Sequence, residues 1–265
     1  MLNKIKSIFS KRGNFDRFNE PKILIFGWTR TGSSNLGEIV KSVTKSSFIY
    51  EPFHAKNGID IRSIKQLKKE LHQIWDQYDG MKHVSRLSKN GDEYLLKHPD
   101  HKIIFLWREN ISKRVISEFL ARQTKIFGSL NDNKSLRQDL EKVTYKPLDL
   151  KAFDKNCNKY KQEVDYFKRF LKSNNKKYFE VKFEDLFESN IEAQKEMIQR
   201  LCEFLNIPFE DAVFEELKWR FEEKMKQGSD KIYKAIPNLE SIQKLIQEKN
   251  YGNLFSNNTN STKEI

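Results

Sequence analysis

The stretch "KILIFGWTRTGSS", residues 22–34, constrains the fold of this chain more than any other. After its first lysine it runs apolar without alternation to Gly27. Such a run suits a strand covered on both faces, which is the condition of a parallel sheet. Leu36, Ile39, Val40 and Val43 then recur at helical spacing, so a helix starts near Ser33. Between strand and helix lie Gly27 and Gly32, with the Gly-x-x-x-x-Gly spacing of a phosphate-binding loop. In a strand–loop–helix unit the unbonded N–H groups of residues near 31–35 point outward at a positive helix terminus, which holds an anion by geometry alone. A nucleoside triphosphate loop would carry lysine where Ser33 stands. Here Arg30 supplies the positive charge, and Thr31, Ser33 and Ser34 add hydroxyl donors.

The same alternation of strand and helix continues along the chain. Residues 46–52 read as a second strand stopped by Pro52, and Ile64, Leu67, Leu71 and Ile74 mark a helix. Residues 80–85 read as a short third strand and 101–108 as a buried one, followed by a helix to about 125. A loop over 127–147 leads to a polar helix within 149–173, a strand over 177–186 and a helix over 191–205. This order predicts one α/β domain, a parallel sheet with helices on both faces, over residues 21–250. Residues 1–20 form an N-terminal extension, and 251–265 read as a polar, disordered tail.

Charge narrows the ligand. Forty-nine Lys+Arg stand against 37 Asp+Glu, a formal net charge of +12. A lysine-rich solvated surface and a polyanionic partner account for this equally well. No zinc spacing or RNA-binding signature points to nucleic acid. Cys157 and Cys202 are the two cysteines of the sequence, and two isolated thiols suggest neither a disulfide framework nor a metal site. No apolar run reaches membrane-spanning length, and "MLNKIKSIFSKR" lacks the apolar centre of a secretory signal, so the expected location is cytoplasmic. That start reads as a frayed or packed helix, with a weak membrane-surface contact as the alternative. Oligomeric state is not legible. The strand over 101–108 ends in Trp107-Arg108, which is basic, where a triphosphate enzyme would carry a magnesium-binding carboxylate. The expected ligand is a diester-like anion held by cations and amides, with no metal.

"TRTGSS" after a strand resembles the 5′-phosphosulfate loop of the sulfotransferases, which use 3′-phosphoadenosine 5′-phosphosulfate (PAPS). Three further stretches agree in order: "IIFLWRENISKRVISEFLARQT" (103–124) is similar to their 3′-phosphate segment, "VKFEDLF" (181–187) to their late strand, and "IYKAIPNLESIQKLI" (232–246) to their C-terminal stretch. "ARQT" and "EPFH" lean towards the bacterial carbohydrate and glycolipid enzymes. The resemblance implies a P-loop-type, sulfotransferase-like parallel sheet flanked by helices. It also implies PAPS as donor and a hydroxyl-bearing acceptor, a glycan or glycolipid.

Residue roles follow from the resemblance. Arg30 would neutralise charge on the departing 5′-phosphate, with Thr31, Gly32, Ser33, Ser34 and Asn35 around it. Arg108 and Ser117 would hold the 3′-phosphate, and Arg114, Arg122 and Lys113 share their segment as charges, some of them only surface ones. Proton removal from the acceptor needs a carboxylate or imidazole within reach. With the second strand expected beside the first, Glu51 is the candidate base and His54 its rival. Lys82, His83 and His98 are further candidates to face the acceptor. Asn238 would order the C-terminal stretch, and Lys231 and Lys234 would reach a phosphate. Asn35 stands where many relatives carry an aromatic residue that stacks on adenine, so that platform must come from elsewhere. The rival readings are an ATP-dependent P-loop small-molecule kinase and a non-catalytic anion- or membrane-surface-binding protein.

Overall fold

A computed structural model describes residues 21–54, 57, 59, 61–126, 140, 142–221 and 230–255. Its centre is a five-stranded parallel sheet of β1 (Lys22–Gly27), β2 (Phe48–Tyr50), β3 (Gly80–Val84), β4 (His101–Trp107) and β5 (Tyr178–Lys182), in the order β2-β3-β1-β4-β5. The second strand is therefore not beside the first, as the sequence reading expected: β3 lies between them. Gly80 explains the short β2–β3 contact, because a Cβ there would stand 2.2 Å from Cζ of Phe48.

Helices cover both faces. On one, α1 (Ser33–Thr44), α6 (Phe183–Phe187), α7 (Ile191–Leu205) and α8 (Asp211–Leu217) pack on Ile23, Ile25, Ile104 and Leu106. On the other, α2 (Ile64–Trp75), α3 (Lys89–Lys97) and α5 (Leu150–Ser173) pack on Leu24, Phe26, Ile103 and Phe105. Alternate residues of β1 thus face opposite layers, and neither face is polar, which is why the run shows no alternation. A third cluster joins α4 (Ile111–Thr124) and α5 to α9 (Asp230–Lys234) and α10 (Leu239–Lys249).

Some boundaries move. Residues 183–186, expected as strand, are helical: Phe183, Leu186 and Phe187 fall at i, i+3 and i+4 and bury together. Helix α3 was not anticipated, since Asn90-Gly91 reads as a turn; Ser88 caps it by accepting from the Gly91 N–H at 3.3 Å. Tyr251 and Leu254, placed by the sequence in a disordered tail, are buried, and Asn110 Nδ2 donates to the Asn253 carbonyl at 2.6 Å. The remainder of that tail, the N-terminal extension and most of the loop at 127–147 lie outside the described residues. Asn238 joins the C-terminal stretch to the segment before α5, accepting from the Leu148 N–H at 2.9 Å and donating to its carbonyl at 2.8 Å. Cys157 and Cys202 are buried free thiols, pushed up by burial to about 12 and about 11. No described helix is long and apolar enough to cross a membrane.

At the N-terminal edge of the sheet, Trp75 Nε1 donates to His101 Nε2 at 3.1 Å and His101 Nδ1 faces the Leu95 carbonyl at 2.8 Å. Those partners require the neutral Nδ1–H tautomer. Burial, followed by the nearby His98, pushes His101 from 6.5 to about 3, against the pull of the Leu95 carbonyl. The unfolded chain takes up a proton that the native state refuses. The stability this gives is therefore complete above pH 6.5 and is lost as pH falls from there towards 3, at about 1.4 kcal/mol per pH unit. His101→Gln removes the titrating group, so urea midpoints of that variant fall less steeply with acid than those of the wild type. Parallel slopes would show that His101 is not the sensor.

Candidate functional site

All five strands run the same way, so the segments after β1, β2, β3, β4 and β5 meet at one edge, where ligands of open parallel sheets bind. The loop after β1 is shaped by its glycines. A Cβ on Gly27 would stand 2.9 Å from the Leu106 carbonyl oxygen of the neighbouring strand. Gly32 has φ of 79° and lies over α6, where a Cβ would meet Phe187 Cε2 at 2.8 Å and Phe183 Cδ2 at 3.1 Å. Arg30 is also left-handed, with φ of 65°. These two turns swing the chain into α1, whose first intrahelical bond runs from the Leu36 N–H to the Gly32 carbonyl at 3.0 Å. The N–H groups of residues 33–35 thus have no partner within the helix, and its first turn carries no acidic residue.

The loop hydroxyls are not equivalent. Thr31 is buried and donates to the Trp28 carbonyl at 2.7 Å, so it closes the loop instead of offering its proton outward. Ser33 is buried in the first turn, whereas Ser34 is exposed and accepts from Lys82 Nζ at 3.0 Å. Asn35 is engaged away from the loop: its Nδ2 donates to the Arg220 carbonyl at 2.7 Å and its Oδ1 accepts from Arg220 at 3.4 Å.

Helix α4 holds the loop from the side. Arg30 Nε donates to Ser117 Oγ at 3.0 Å. Arg114 was grouped with the segment's charges, some of them only surface ones, but it turns inward. Its Nε donates to the Thr29 carbonyl at 3.0 Å and its Nη2 to Thr29 Oγ1 at 2.6 Å, with the guanidinium 4.8 Å from the Tyr160 ring. Nothing in the sequence separates it from Arg122, which pairs with Glu118 at 3.0 Å on an exposed face. Burial pushes Arg30 down to about 10; Glu118 opposes this, and the charges of Arg108 and Arg114 add to it. It remains a cation at neutral pH.

Arg108 follows β4 and is buried, its guanidinium 4.0 Å over the Phe183 ring. The Tyr160 hydroxyl accepts the Arg108 N–H at 2.7 Å and donates to its carbonyl at 3.1 Å, which fixes the backbone. Nη2 reaches Glu188 at 3.4 Å and Nε stands 3.7 Å from Glu184, whose two oxygens are already taken by the Glu109 and Asn110 N–H groups at 2.9 and 3.0 Å. Nε is buried without a hydrogen-bond partner. Arg108 and Ser117 are not bonded to each other; both instead adjoin Arg30, one through charge and one through a hydrogen bond.

Across the loop, Glu51 ends β2 in a left-handed conformation, φ 47°. Its N–H donates to the Lys82 carbonyl at 2.8 Å, and its carboxylate takes Lys82 Nζ at 2.6 Å and Arg86 at 3.5 Å. Burial alone would raise its pKa, but Lys82, Arg86 and His54 outweigh that and hold it below the usual range. His54 donates its N–H to the Glu51 carbonyl at 2.9 Å. His83 points to the other face of the sheet, bonded to Asp92 at 2.8 Å and buried. His98 precedes β4 and so belongs to the opposite edge. Lys234 lies 5.9 Å from the Phe255 ring.

The family model described as the sulfotransferase domain matches residues 20–255. The chain belongs to the sulfotransferase family. Among solved structures it is similar to mouse sulfotransferase SULT7A1, complexed with PAP, at 14% identity and a TM-score of 0.46 over 78% of this chain. The chain spans 66% of that protein, just under two thirds of its length. No curated protein matches it. The loop of this chain depends on Gly32. Gly32→Ala places a Cβ in the left-handed region and against α6, so it lowers stability by about 2 kcal/mol or more. Urea unfolding measures this, and an unchanged midpoint would show that the loop does not hold the conformation described.

Proposed function

We propose that this sulfotransferase moves a sulfuryl group from PAPS to an acceptor hydroxyl. The observation that carries the reading is the grouping of Arg30 with Arg108 beside a helix terminus, with the Arg108 Nε buried and lacking a hydrogen-bond partner. A buried unbonded guanidinium N–H is costly unless a ligand completes it, and a phosphate oxygen suits it in charge and geometry.

The donor brings an activated sulfuryl group. Loop N–H groups of residues 33–35 and the Arg30 guanidinium neutralise charge at its 5′ end, and Arg108 with Ser117 fixes the 3′-phosphate. Glu51 takes the proton of the acceptor hydroxyl as the new S–O bond forms and the bond to the 5′-phosphate breaks; His54 is the rival base. A carboxylate held below the usual range is a weak base, so most of the rate comes from positioning and charge stabilisation. The exposed Trp219 lies next to Arg220, which binds Asn35, and offers the adenine platform that Asn35 cannot. We take the enzyme as a single domain working in the cytoplasm on a carbohydrate or glycolipid.

Incubation with labelled PAPS and a panel of glycans, glycolipids and small alcohols, read by mass spectrometry, tests the transfer. Adenosine 3′,5′-bisphosphate is expected to bind and to resist displacement by magnesium ATP. Arg30→Ala lowers turnover by about 10²-fold or more. Tight binding of magnesium ATP with none of the bisphosphate would favour a kinase, and vesicle binding without nucleotide binding a surface protein.

A further inference from the structure

Lys82 belongs to a central strand and is almost fully enclosed, with 4% of its side chain exposed. Its ammonium reaches two groups from different elements: Ser34 Oγ on α1 at 3.0 Å and Glu51 Oε1 beyond β2 at 2.6 Å. The Tyr50 ring lies 5.6 Å away and closes a third side. Tyr50 is fixed in turn by donating to Glu38 at 2.6 Å.

The backbone is built to make this contact. Tyr50 is the register partner of Lys82, so β2 ends level with it. Glu51 then turns left-handed, a conformation unfavourable for a residue with a side chain, and folds its carboxylate back across β3. Its N–H on the Lys82 carbonyl and its own carbonyl, accepting from His54 N–H at 2.9 Å and Asn57 Nδ2 at 2.8 Å, keep it there. A lysine enclosed for packing alone would not need a strained neighbour to meet it.

We propose that Lys82 is a positioning residue for the transfer reaction: its ammonium ties the loop hydroxyl of Ser34 to the Glu51 carboxylate, fixing the base beside the donor loop. The proposal rests on the sulfuryl-transfer reading of the site. Because β3 separates β2 from β1, no backbone pairing joins the base to the loop, and the Lys82 side chain spans that gap. The charged groups facing the pair are Arg86, 3.5 Å from Glu51, and His54. Both are cations or potential cations and act in the same direction, while Lys82 makes the shortest contact. Ser34 and Tyr50 are the neutral groups against it.

Two reciprocal titrations by NMR test this on the full chain. With ¹³C-labelled glutamate, the Glu51 carboxyl, assigned by its loss in Glu51→Gln, is expected to show no titration between pH 5 and 8 in the wild type. In Lys82→Met it titrates at least one pH unit higher, and Lys82→Arg restores the wild-type behaviour. Arg86→Met gives a smaller shift. If Lys82→Met does not fold, the converse measurement decides: Glu51→Gln lowers the titration of the Lys82 ammonium by at least one pH unit. Unchanged Glu51 in a folded Lys82→Met, or unchanged Lys82 in Glu51→Gln, overturns the proposal. Calorimetry with adenosine 3′,5′-bisphosphate separates this from the function itself. A wild type that fails to bind the bisphosphate removes the sulfuryl-transfer reading, whatever Lys82 does. A wild type that binds it, with uncoupled titrations, removes only the role of Lys82.

Discussion

The grip of helix α4 on the loop after β1 is the contact on which the site rests. Arg114 and Ser117 lie three residues apart on that helix, so both point the same way. Arg114 holds Thr29 by its carbonyl and hydroxyl, and Ser117 holds the guanidinium of Arg30. The loop between them makes two left-handed turns, which by themselves favour many other conformations. Side chains from a neighbouring element select this one. The loop's own Thr31 adds a local clasp, and Phe183 and Phe187 form the floor beneath Gly32.

Electrostatics makes that arrangement costly without compensation. Arg30, Arg108 and Arg114 act on one another's surroundings, and burial disfavours the charge on Arg30 and Arg114. Glu184 and Glu188 answer Arg108 at distances that leave its Nε without a hydrogen bond. Glu188 bonds Arg108 Nη2 at 3.4 Å while Glu184 stands near Nε without bonding it, so one donor of that guanidinium stays open. On the other side of the loop the balance is reversed: one carboxylate, Glu51, faces both Lys82 and Arg86.

Much of this was readable in advance because it depends on local pattern. The apolar run of β1, the glycine pair and the periodicity of α1 specify strand, loop and helix within residues 22–44. The motif stretches placed Arg30, Arg108 and Ser117 at one edge, and the structure brings all three around the loop. What escaped was long-range. Strand order depends on which strands pair, and no local signal said that β3 would separate β2 from β1. Arg114 and Arg122 share a helix and a residue type, yet one faces Thr29 and the other solvent. Asn35 and Thr31 looked available because their partners, Arg220 and the Trp28 carbonyl, are invisible in a motif. Residues 183–186 read as the end of a strand yet are helical, because a motif stretch fixes residue identity without fixing backbone shape.

Arg30 and its partner Ser117 are 87 residues apart in the chain, and Lys82 and Ser34 are 48 apart. Apart from the local clasp of Thr31 on the Trp28 carbonyl, these side-chain contacts on the loop join elements that meet only when β3 and β4 pair with β1. The shape of the glycine-bracketed segment and the completion of the sheet are thereby coupled.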